Sequence, residues 1–139
     1  MIKKRIISTI LFFIVFVLIS GCNPGQLVTF SSPVKVTKKF MGALNSNKPA
    51  KALDLICESM VIPSLSKDYL KNLNYEEISN DGVLATVHVT GEIRLENEDL
   101  GALKKNLDFT FLLEKNGNDW CIQRNSLTNI INSLIDITY

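Results

Sequence analysis

From Leu107 to Ile122 apolar and polar residues alternate with a period of two. Leu107, Phe109, Phe111 and Leu113 fall on one side, and Asp108, Thr110 and Glu114 fall on the other. Asn116-Gly117 then supplies residues that accept positive φ, and Trp120 and Ile122 resume the alternation, so the pattern predicts a β-hairpin. A longer strand is expected before it. Ala85, Val87, Val89, Ile93 and Leu95 share one face, with Thr86, His88, Thr90, Glu92 and Arg94 on the other. Gly91 interrupts the apolar face, where a bulge or bend is expected. Residues 75–79 read as a short strand closed by an Asn80-Asp81-Gly82 turn, and residues 96–101 as a polar connection.

Upstream the period lengthens to that of a helix. Ser32-Pro33 places a capping side chain before a proline suited to the first helical position. Val36, Phe40, Ala43 and Leu44 then form one face, and Asn45 marks an end. Lys35, Lys38 and Lys39 share another face, a pattern usual for a solvated helix side and also suited to anionic headgroups. A second helix is expected from Pro49, with Leu53, Ile56, Cys57 and Met60 as its apolar stripe and Pro63 as its stop. Ser66 would cap a short third helix through Leu73. After the hairpin, Leu127, Ile130, Ile131, Leu134 and Ile135 recur at helical spacing. They predict a short C-terminal helix, with a final strand as competitor because β-branched isoleucines dominate.

These elements make an α+β fold: two or three N-terminal helices packed on a curved four-stranded antiparallel sheet, with the short C-terminal helix added. Residues 32–139 form the single domain for which the length leaves room. Residues 1–21 stand apart from it. Lys3, Lys4 and Arg5 precede the apolar run 6–19, which is too short for the roughly 20 residues a spanning helix needs. Small residues follow, completing a secretory signal.

Ile19-Ser20-Gly21-Cys22 resembles the lipobox of bacterial lipoproteins, with isoleucine where leucine is more usual. The resemblance implies cleavage before Cys22, lipid attachment to Cys22 and acylation of the new amino terminus. The membrane would then be a partner through that lipid, with residues 22–31 as a tether. Localisation is expected at the cell envelope, on the outer side of the cytoplasmic membrane or at the outer membrane. A second resemblance covers about residues 32–124. The run SSPVKVTKKFMGALNSNKPAKALDLI, with LATVHVTGEI and NGNDWCI downstream, is similar to the nuclear-transport-factor-2-like (cystatin-like) superfamily, in its branch of small lipoproteins of unknown function. It implies a cystatin-like cone and carries over no catalytic residue.

Removing residues 1–21 takes away three of the 15 basic residues and none of the 14 acidic ones, leaving a net charge near −2. Nucleic acid, which calls for a basic patch, is not an expected partner. Cys57 and Cys121 remain beside the lipidated Cys22, in a compartment where disulfides persist. They are nevertheless expected to stay separate thiols, because Cys57 falls on a helical apolar stripe while Cys121 is out of phase with Trp120 and Ile122.

Little chemistry is legible. His88 is the only histidine, flanked by Thr86 and Thr90, which are poor metal ligands. It alternates on the polar face, away from the space between sheet and helices. No phosphate-binding glycine loop, nucleophile elbow or Cys-x-x-Cys pair occurs. The expectation is a non-enzymatic module without cofactor, metal or catalytic residue. It would bind an envelope protein or small hydrophobic ligand in the sheet–helix cavity or on the sheet's outer face. The alternatives are a small-molecule enzyme with His88 as general base, and an assembly subunit joined through the sheet or the C-terminal helix.

Overall fold

In the computed structural model the described residues are 31–64, 67–97 and 101–135, the side chains of 97 and 133–135 excepted. The expected signal segment, Cys22 and all but the last residue of the tether lie outside them. The elements are α1 (Pro33–Asn45), α2 (Pro49–Leu53), β1 (Leu70–Asn80), β2 (Leu84–Asn97), β3 (Gly101–Asn116), β4 (Asp119–Ile122) and α3 (Arg124–Ile135). Among the described residues four strands form one open antiparallel sheet in the order β1-β2-β3-β4, which with three helices is an α+β fold.

α1 starts as its sequence dictates, with the Ser32 hydroxyl accepting from the Lys35 amide at 3.2 Å and Pro33 in the first turn. Its end is a Schellman closure. Asn47 takes φ +52°, its amide donates to the Leu44 carbonyl, and the Lys48 amide donates to the Ala43 carbonyl. Asn47 therefore terminates α1, and Lys48 gives α2 no side-chain cap.

The second helix is shorter than its periodicity predicts and stops at Leu53. Residues 55–57 run parallel beside β4. Ile122 donates its amide to Leu55, and Cys57 donates its amide back to Ile122. An uncapped helix of this length is marginal, whereas pairing with the open side of β4 satisfies backbone groups at once. The rearrangement also overturns the separate-thiol expectation. Cys57 leaves any helical stripe and comes to face Cys121, with Cα atoms 5.0 Å apart, and the two form a disulfide.

The expected helix from Ser66 to Leu73 is likewise absent from the described part of that segment; residues 65 and 66 lie outside it. Strand β1 begins at Leu70, five residues earlier than the pattern of residues 75–79 suggests. Its start is irregular, with Asn72 at φ +53° and a register shift between Lys71 and Asn74. That bulge explains Gly91 in the neighbouring strand: a Cβ there would lie 2.8 Å from Leu73 Cδ2 and 3.0 Å from the Lys71 carbonyl oxygen. The glycine accommodates a bulge in its neighbour, while β2 pairs through Gly91 with β3 without a break.

The core joins the predicted faces. Val87, Val89, Leu107, Phe111, Leu113 and Ile122 are buried in one cluster with Val36, Phe40, Met41 and Leu44 of α1. The Phe40 ring meets Phe111 edge-on at 5.8 Å, a favoured aromatic geometry. The C-terminal segment is a helix, as expected, and Leu127 and Ile130 enter the same cluster. The short β4 pairs only with Leu113–Asn116 of β3, so α3 lies alongside the preceding part of β3.

Candidate functional site

The sheet's outer face carries the polar set of each strand. On β2 this is Thr86, His88, Thr90 and Glu92; on β3 it is Glu114, Leu112, Thr110 and Asp108. The register places His88 between Glu76 of β1 and Thr110 of β3, with Asp108 as its diagonal neighbour. That diagonal is within reach of long side chains. His88 Nε2 lies 2.8 Å from Asp108 Oδ1, with side-chain exposures of 29% and 76%. His88 thus lies on the polar face, as its alternation predicts, and it has a carboxylate partner that one strand alone could not reveal.

This pair borders a groove of about 490 Å³ between β3 and the first turns of α3. Asp108, Thr110, Asn125 and Asn129 supply polar atoms there, and Phe109 and Leu112 supply apolar surface. Its size falls in the range of small-ligand sites. Among the described lining residues Thr110 and Ser126 carry hydroxyls, and Ser126 donates to the Gln123 carbonyl at 2.8 Å.

A second groove, of about 420 Å³, opens beside the β1–β2 turn and is lined by Ser79, Asp81, Leu84, Thr86, Leu112 and Gln123. Leu112 lines both grooves. Leu84 and Leu112 are diagonal neighbours on the outer face, 50% and 41% exposed. They form a small apolar strip beside Thr86 and Glu114. The turn itself is rigidly tied: Asp81 Oδ1 accepts from the Leu84 amide at 2.7 Å and the Val83 amide at 2.8 Å. These bonds hold its carboxyl below the ordinary carboxylate range.

Towards the other end of the sheet, Glu92 is held by Lys104 Nζ at 2.7 Å and Arg94 Nη2 at 2.7 Å, with Asn72 Nδ2 at 3.3 Å. The Lys104 hydrogen bond, then that of Arg94, lowers the Glu92 carboxyl below its ordinary value. Near β4, the Glu114 carboxylate gathers with the two sulfurs of Cys57 and Cys121, all within 4.8 Å of one another. Bonded to each other, those sulfurs are not the thiolates that a metal takes as ligands.

The sequence pattern placed His88 and Asp108 on the polar faces of their strands but did not show their contact, nor Leu84 and Leu112 as outer-face residues. The available signal was the β2–β3 pairing that closes at Asn97 and Gly101, which sets Asp108 opposite Thr90. Among the described residues no helix is long and apolar enough to cross a membrane. Comparison of the chain with protein-family models, curated proteins and solved structures gives no match.

Proposed function

We propose that this chain is a lipid-anchored, non-enzymatic binding module of the bacterial cell envelope. It is held through Cys22 and meets an envelope protein or small hydrophobic ligand on the outer face of its sheet. The observation that carries the reading is the Cys57–Cys121 disulfide, since such bonds persist in oxidising compartments outside the cytoplasm. It agrees with the export pattern of residues 1–22: basic start, short apolar run, small residues and cysteine. The Leu84–Leu112 strip between two grooves supplies apolar contact ringed by hydrogen-bonding groups, the usual composition of a recognition surface. In this reading α1 lies across a curved sheet in the cystatin-like manner, for which the Phe40–Phe111 contact and the shared core are the support.

Expression of the full chain in a bacterial host tests the anchor. The mature protein should begin at Cys22, carry a diacylglyceryl mass increment and stay with membranes after a high-salt wash. Cys22→Ala should leave the precursor unprocessed. An unmodified chain in the soluble fraction, or normal processing of Cys22→Ala, would overturn the reading.

The His88–Asp108 contact favours a second reading, in which His88 serves as general base for a small substrate bound in the groove beside α3. Its test is His88→Gln. Loss of the protein's cellular phenotype with an unchanged melting temperature would support catalysis, and a retained phenotype would remove it.

A further inference from the structure

Charge is divided between the two ends of this chain. From Cys22 to Leu53 there are five lysines (Lys35, Lys38, Lys39, Lys48 and Lys51) and no acidic residue. From Asp54 onward all 14 acidic residues occur, with seven basic ones. The fold keeps this division in space. α1 turns Val36, Phe40, Ala43 and Leu44 into the core and leaves Lys35 and Lys39 exposed. Exposed Lys38 reaches over the Tyr75 ring at 5.4 Å. Between α1 and α2 a groove of about 400 Å³ brings together Lys39, Lys48 and Lys51 around Gly42 and Ser46, with Asp54 the acidic group among its described lining residues. The sheet's outer face presents Glu76, Glu92, Asp108 and Glu114, with Arg94 and Lys104 both paired to Glu92.

We propose that the lysine-bearing surface of α1 and α2 is the face the domain turns to the membrane, where it docks on anionic phospholipid headgroups. The inference rests on the lipid-anchor reading and adds an orientation to it. Charge complementarity argues for this occupant, and so does the chain outside the described residues. Cys22 precedes Ser32 by ten residues, so the tether spans at most ~35 Å and delivers the chain directly into α1. The anchored domain is therefore confined within that length of the headgroups, and its lysine-bearing helices are the first elements to follow the attachment point in the chain. Docking in this orientation directs the carboxylates and the Leu84–Leu112 strip away from the bilayer, towards a partner.

The test uses the full lipidated chain in vesicles of phosphatidylcholine alone or with one-third phosphatidylglycerol. Acetylation rates of individual lysines are read by mass spectrometry. Lys39, Lys48 and Lys51 should be slowed several-fold in the anionic vesicles relative to the neutral ones, and 1 M salt should relieve the protection. Lys104, on the outer face, should label equally in both. In the variant carrying Lys39→Gln, Lys48→Gln and Lys51→Gln, the remaining protection of Lys35 should disappear. Without the acyl chains, each such replacement should weaken partition to anionic vesicles roughly fivefold. Equal labelling of Lys39, Lys48 and Lys51 in the two lipids, or equal slowing of Lys104, overturns the docking face. Flotation with neutral vesicles in high salt reports the acyl anchor alone, so its failure is read separately from failure of the docking.

Discussion

Asn45 pairs with Leu70 as one strand residue pairs with another. Its Oδ1 accepts from the Leu70 amide at 2.8 Å, and its Nδ2 donates to the Leu70 carbonyl at 3.2 Å. The Asn45 carbonyl meanwhile accepts from the Asp68 amide at 2.8 Å. The last residue of α1 thus fixes where β1 begins. Leu70 is 3% exposed, so Asn45→Ala would remove a partner from two buried backbone groups. The expected loss is about 2–4 kcal/mol in urea unfolding. Asn45→Asp should fall between, since it keeps the acceptor and removes the donor.

Tyr69, the neighbour of Leu70, is 4% exposed, and its hydroxyl has no hydrogen-bond partner among the described residues. Burial raises its ionisation well above the ordinary tyrosine value. A group whose folded-state value is raised stabilises fully below its unfolded value and loses that contribution as pH climbs through the folded one. Tyr69 should therefore resist spectrophotometric titration near pH 10 and ionise only as the protein unfolds. Tyr69→Phe removes an unsatisfied polar atom while keeping the ring, and should raise stability by up to ~1 kcal/mol or leave it unchanged. A clear destabilisation would show that the hydroxyl has a partner.

Elements whose periodicity was long and matched by local turn chemistry were legible in the sequence. The β2 and β3 strands, the turn at Gly117 with φ +64°, the Ser32 cap and the C-terminal helix all belong here. The failures share one cause. Residues 53–60 and 66–73 are short apolar segments whose spacing suits a helix, and long-range backbone partners decide against it: Ile122 for the first, Asn45 and β2 for the second. The disulfide was hidden for the same reason, because its phase depended on a helix that ends at Leu53. At the candidate site, His88 could be assigned to a face, whereas its contact with Asp108 required the pairing of two strands.

Glu92 should make stability sensitive to acid. Its carboxyl is held below the ordinary value by Lys104 and then Arg94, so its contribution is present above the unfolded glutamate value, near 4.5. That contribution is lost as pH falls through the lower folded value. Urea midpoints measured from pH 6 down to pH 2 should therefore show a gap between the wild type and Glu92→Gln that narrows towards acid. Raising the salt concentration at pH 6 should shrink the same gap, because the ion pairs are at the surface. A gap that stays constant with pH would assign the loss to the hydrogen bonds alone.

The disulfide should be the largest single contributor outside the core. Cys57 and Cys121 are 64 residues apart in sequence, and the chain-entropy model gives about 4 kcal/mol for closing a loop of that length. The bond fastens residues 55–57 to β4, whose own backbone bonds there are few. Reduction, or Cys57→Ala with Cys121→Ala, should lower the melting temperature by more than 10 °C. Hydrogen exchange should quicken first at the Cys57 and Ile122 amides that bridge this segment to β4. The α1 amides of Phe40 and Met41, whose side chains are buried in the core, should remain protected until global unfolding. Unchanged melting in a reductant that demonstrably frees two thiols would show that the segment pairing holds without the covalent bond.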